Sequence, residues 1–170
     1  HFAFVVMQHL DPSRKSAMPE LARKWTSLPV VAASNNIVLK PNEVYLIPPG
    51  VLATIKHGKI RLVPVVKSSR HASPISELFT SLASSAGPSA IGVVLSGAGS
   101  DGSDGLLAIS EQGGLILAQD PVSAKFSSMP EAAISLGHAK TILLPQDMVP
   151  WIITAINQRT NLKETETKTD

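Results

Sequence analysis

Short apolar runs alternate with helix-like patterns along nearly the whole chain, and no other feature restricts the possible folds so much. "FAFVVM" (Phe2–Met7), "LPVVAA", "NEVYLIPPG", Ala90–Leu95, "LILAQ" and "AKTILLP" all have strand length. Several are apolar at consecutive positions, which suits strands buried on both faces. Strands alternating with helices imply right-handed crossovers and a parallel sheet. The expected fold is therefore α/β: a doubly wound, mainly parallel sheet with helices on both faces and one antiparallel hairpin. The hairpin is read from "LATIKHGKIRLVPV", whose alternation turns at His57-Gly58, a two-residue loop with glycine.

The helices carry their own start and stop signals. Asp11 before Pro12 makes an N-cap and first-position pair, which predicts a helix from about Pro12 to Trp25, kinked or broken at Pro19. In "SPISELFTSLASSAG", Ser73 is the expected cap, Pro74 the first helical residue, and Ile75, Leu78, Phe79 and Leu82 the apolar face. Further helices are expected over Ser103–Gln112, in "SMPEAAISLG" and in "DMVPWIITAINQ". The final "RTNLKETETKTD" is polar and lacks apolar periodicity. It is expected to be a disordered tail or linker, 158–170, after a domain spanning 1–157.

Composition narrows the function classes. The 170 residues are 44% hydrophobic and 16% charged, below the usual charged share of about 25%, as suits a sheet covered on both faces. A net charge of +2, with no basic stripe interleaved with aromatics, does not argue for a nucleic-acid partner. The absence of cysteine excludes disulfides and cysteine-based metal sites. No run reaches the roughly 18 apolar residues of a membrane span, and no signal peptide is evident. A soluble, cytoplasmic protein is the default expectation. The chain opens inside an apolar run and without Met, which reads as a cut and not as a natural terminus.

In open α/β sheets, function gathers at the carboxyl ends of the strands. Two such places carry chemistry: Gln8-His9 after the first strand, and Gly97–Gly102 after Ala90–Leu95. The second admits four readings. Gly97-Ala98-Gly99-Ser100-Asp101-Gly102 is literally G-x-G-x-x-G, with Asp120 as the ribose-binding acid, although Asp101 would repel a pyrophosphate. Ala98-x-Ser100-x-Gly102 approximates a nucleophile elbow, with Asp120 and His138 in hydrolase order. A calcium loop counted from Asp101 fails at Ser103, Gly105 and Gln112. Finally, Asp101 suits the supporting acid of a triad, which fixes the tautomer of a histidine and stabilises its imidazolium. His9 would be that histidine, and the nucleophile would come from a third strand end. The bland readings are that His9 is a loop residue and that Asp101 caps the helix starting at Ser103. His57 at a hairpin tip, His71 in a polar loop and His138 after a helix end are weaker candidates.

The stretches "VVMQHLDPS", "VYLIPPG", "IGVVLSGAGSDGSDGLLAI", "GGLILAQDPVSAKFSSMPEAAISLG" and "TILLP" occur in this order. Together, from about Phe2 to about Ile156, they resemble the catalytic domain of the bacterial chemotaxis protein-glutamate methylesterases, the CheB family. The resemblance implies a Ser-His-Asp triad. It places the family histidine at His9, the family aspartate at Asp101, and backbone support of the oxyanion around Ala98, where the chemotaxis enzymes often carry Met. Ser76 stands where many relatives have Asp. The family nucleophile lies in a turn upstream of this chain, and no serine here matches it. The resemblance further implies hydrolysis of glutamate methyl esters on chemoreceptors, without metal or organic cofactor, and a receiver or methyltransferase domain fused or acting as partner. A fragment of an active esterase and a catalytically inactive interaction domain both remain open. This chain by itself is expected to lack esterase activity.

Overall fold

A computed structural model of the chain describes residues 2–8, 17–65 and 73–166, with side chains through residue 161. The first parallel sheet is built from three short strands, β1 (Phe4–Val6), β2 (Val30–Ala32) and β4 (Val44–Leu46), in the order β1-β4-β2. Its register sets Phe4 and Val30 on either side of Val44. The helix α1 (Met18–Trp25) precedes β2. An antiparallel sheet joins β3 (Ile37–Val38), β6 (Lys59–Pro64) and β5 (Val51–Lys56). The second parallel sheet is β7 (Ile91–Val94), β8 (Leu115–Gln119) and β9 (Thr141–Leu143). The remaining helices are α2 (Pro74–Ala86), α3 (Ser103–Glu111), α4 (Ser128–Ser135) and α5 (Pro145–Glu166).

The expected α/β architecture is present, with its parallel strands divided between two sheets. Strand β8 shows why a continuous apolar run was needed. Successive side chains point to opposite faces, and all five residues of β8 are buried. Leu115 and Leu117 pack with Met148, Trp151 and Ile152 of α5. Ile116 and Ala118 pack on the other face with Leu106 and Ile109 of α3 and Met129 and Ala133 of α4. Full burial of each large aliphatic side chain stabilises the fold by roughly 1.5–3 kcal/mol.

Helix α2 divides its apolar face between two cores. Ile75, Phe79 and Ala83 enter the core that holds α3 and α4. Leu78 enters the core that holds Tyr45, Ala53, Ile55 and Ile60. The crossing of α2 and α3 is close at Gly105, where a side-chain carbon would overlap the Ser76 carbonyl and lie 2.8 Å from Phe79 Cβ. The hairpin turn is as expected: His57 and Gly58 both have positive φ, 51° and 69°, the backbone that matches the twist of the flanking strands.

Two expectations are corrected, the Ser73 cap and the disordered tail. The described helix α1 begins at Met18, so Pro19 stands in its first turn, where a proline costs no internal hydrogen bond. Asp11 and Pro12 lie outside the described residues. The Ser73 side chain makes no cap bond to α2. Strand β3, only two residues long, has no pattern of its own; it exists by pairing Ile37 and Val38 with Ile60 and Lys59. The polar segment after Gln158 is helical as far as Glu166. Tertiary bonds anchor it: Arg159 Nη1 donates to the carbonyls of Pro88 at 3.2 Å and Gly113 at 3.0 Å.

Candidate functional site

Strand β7 ends in a polar turn, Leu95–Gly102, that leads into α3. The turn reverses through Gly99 and Gly102, with φ of 92° and 99°, values that glycine adopts without a Cβ penalty. Gly102 is the N-cap of α3. Asp101 therefore does not cap α3. Its carboxylate reaches the other helix instead: Oδ2 accepts from the Ile75 amide and Oδ1 from the Ser76 amide, each at 3.1 Å. These are first-turn donors of α2, which have no partner within the helix. Ser76 returns the bond, its Oγ accepting from the Gly102 amide at 2.9 Å. The turn and the start of α2 are thus locked by three hydrogen bonds across 25 or 26 residues of sequence. The positive end of the α2 dipole also favours the Asp101 charge.

Ala98 is exposed at the crest of the turn. Among the described residues, the amides of Ala98 and Gly99 donate to no acceptor. The residues just before them are held firmly. The Gly97 amide donates to the Phe126 carbonyl at 2.9 Å, and the Gly97 carbonyl accepts from the Met129 amide at 3.1 Å.

His9 lies outside the described residues, and so does His71. The described part of its segment ends at Gln8. Met7 packs against both the core that contains Val94 and Met129 and the core that contains Tyr45. His57 is exposed at the hairpin tip, and His138 is half-buried after α4.

The other readings of the turn meet specific obstacles. For dinucleotide binding, Asp120 would have to face a ribose. Its carboxylate instead accepts from the Val122 amide at 2.9 Å and caps the short turn Pro121–Ser123. For a nucleophile elbow, Ser100 should carry the strained backbone, yet the left-handed positions here are Gly99 and Gly102. No group of three or more metal-ligating side chains occurs among the described residues. No described helix is long and apolar enough to cross a membrane.

Sequence reasoning did not single out Gln119, which borders the turn. It closes β8 and is 7% exposed, and its side-chain oxygen accepts from the Ser96 amide at 2.8 Å. The signal was present: one amide side chain ends an otherwise aliphatic run beside a turn.

A parallel-stranded α/β sheet with its polar turns at strand carboxyl ends is a class in which those turns carry the chemistry. Within that class the chain belongs to the CheB methylesterase family, whose model matches residues 1–152. A Xanthomonas campestris protein-glutamate methylesterase/protein-glutamine glutaminase is 35% identical over 145 residues, which is 83% of this chain and 40% of that protein. An uncharacterised 104.1 kDa protein of Rhodobacter capsulatus is 39% identical over 146 residues, 85% of this chain and 15% of that protein. The chain therefore spans well under half the length of these curated relatives. Among solved structures, the Thermotoga maritima CheB methylesterase catalytic domain superposes with a TM-score of 0.73 at 25% identity. That match covers 84% of this chain and 77% of that one.

Proposed function

We propose that this chain forms part of the catalytic domain of a protein-glutamate methylesterase that hydrolyses glutamate methyl esters on chemoreceptors. In this reading a serine hydroxyl, supplied upstream of His1, attacks the ester carbonyl while His9 accepts its proton. Asp101 holds the His9 ring and stabilises its charged form. The amides around Ala98 receive the developing oxyanion, a contribution of several kcal/mol in such sites. The leaving methoxide takes the proton from His9 and departs as methanol. Water, deprotonated by His9, then cleaves the acyl-enzyme to release the glutamate carboxylate and restore the serine. The same acyl chemistry on a glutamine side chain releases ammonia, which matches the double name of the Xanthomonas relative.

The observation that carries this reading is the anchored turn. One carboxylate is pinned by two helix amides, and two backbone amides with no acceptor among the described residues lie only a few residues away. The sheet edges support the upstream serine. Among the described residues, β1 pairs only with β4 and β7 only with β8, so each parallel sheet offers an edge to a further strand. Receiver or methyltransferase partners belong to the same proposal.

The test uses the full-length protein and methyl-labelled receptor membranes. Methanol release is expected, and His9→Gln should lower kcat by at least a thousandfold, the order seen when a triad member is removed. Receptor binding without methanol release would identify an inactive interaction domain. Activity that survives His9→Gln would remove the triad.

A further inference from the structure

The buried amide at the end of β8 has a structural logic that reaches the oxyanion-binding turn. Buried polar side chains persist where their bonds are satisfied, and both ends of Gln119 are. Oε1 accepts from the Ser96 amide at 2.8 Å, and Nε2 donates to Ser123 Oγ at 3.1 Å. Ser123 Oγ donates in turn to the Asp120 carbonyl at 2.8 Å. The Ser96 hydroxyl accepts from the Phe126 amide at 3.0 Å. Gly97 then makes its two bonds to Phe126 and Met129. Because Gly97 has no side chain, Met129 Sδ occupies the place where a Cβ would stand.

The turn is therefore held at both ends. On the far side, Asp101 and Gly102 are tied to α2. On the near side, Gln119 ties Ser96 to the end of β8, two residues before Ala98. Between these clamps lie Ala98 and Gly99, whose amides have no partner among the described residues. An oxyanion donor works only if it is already aimed when charge develops. Nothing within the turn sets that aim. The clamp at Ser96 does so from one end, through the most buried strand of the sheet.

We infer that Gln119 is a positioning residue that sets the height of the Ala98 and Gly99 amides relative to the parallel strands. This rests on the esterase reading above for its functional consequence, and on the hydrogen bonds alone for its structural one. Two measurements separate the two. Gln119→Met keeps the side chain's length and loses both bonds. By hydrogen exchange on the full chain, the bonded amides of Ser96 and Gly97 should exchange on the order of tenfold faster in this variant, with α3 and α5 unchanged. By steady-state assay on the full-length protein, kcat should fall by roughly tenfold to a hundredfold, the range expected for a displacement near 1 Å, with KM unchanged. Gln119→Glu, which retains an acceptor for the Ser96 amide, should recover much of that loss. Unchanged exchange at Ser96 and Gly97 would overturn the clamp. An unchanged kcat, or a loss that merely tracks the unfolded fraction, would overturn the positioning role. If the wild-type protein releases no methanol, the esterase reading falls and takes the positioning role with it, while the exchange result still decides the clamp.

Discussion

Replacing Asp101 by alanine should destabilise the fold as well as any chemistry, and the size of the effect follows from the cap geometry. The carboxylate accepts from the Ile75 and Ser76 amides at 3.1 Å each. Both residues are only 9% exposed, so water does not readily replace the lost acceptor. Loss of an ordinary N-cap costs about 1 kcal/mol and up to about 2. A buried amide left without a partner costs about 1–3 kcal/mol, and the lost charge–dipole attraction adds about 0.3–1 kcal/mol. These contributions overlap, which gives an expected loss of about 2–4 kcal/mol for Asp101→Ala. Asp101→Asn keeps one acceptor oxygen for one amide and should lose about 1 kcal/mol. The assay is urea unfolding of the purified chain. With an m-value near 2 kcal/mol/M, Asp101→Ala should lower the midpoint by roughly 1–2 M, and Asp101→Asn by about 0.5 M. The cap would be refuted by an alanine variant that unfolds within about 0.3 M of the parent at the same m-value. Asp101 would then be a residue held for chemistry alone.

Four further outcomes are expected. Gly105→Ala should cost about 1–2 kcal/mol in urea melts, because the methyl meets the α2 backbone at Ser76 and overpacking outweighs the roughly 1 kcal/mol gain in helix propensity. Gly97→Ala should cost less than about 1 kcal/mol, since the first atoms met belong to the flexible Met129 side chain. Tyr45 is the only tyrosine, so tyrosinate absorbance reads it directly. Burial first, and then its 2.7 Å bond to the Glu43 carboxylate, raise the hydroxyl above the ordinary 10.0. The folded protein keeps that proton where the unfolded chain has lost it. Its stabilising contribution is therefore complete below pH 10 and falls as pH rises through the folded value. Tyr45→Phe should remove that part of the alkaline slope. Arg159→Ala should fray the end of α5, seen as faster amide exchange from Arg159 onward, because it removes the bonds to the Pro88 and Gly113 carbonyls.

Much of this molecule was readable along the chain, wherever the signal and its consequence lie within a few residues. The continuous apolarity of "LILAQ" determined a strand covered on both faces. His57-Gly58 determined a hairpin, and Pro74 the start of α2. The motif "GAGSDG" marked the turn and its carboxylate. Such features follow from backbone sterics and side-chain period, which act locally. The tertiary structure decided what the local signals leave open. A helix start offers unpaired amides to any acceptor, and only folding chose Asp101, 25 and 26 residues away, over the adjacent Ser73. Likewise, an amide at the end of a buried strand must find partners, yet nothing in its neighbours names Ser96 and Ser123. The helical extension through Glu166 has no apolar period to announce it and depends on carbonyls presented by distant turns. Sequence determines which groups need partners. The packed chain determines which groups meet, because burial removes water as the default partner and leaves only neighbours brought together by the fold.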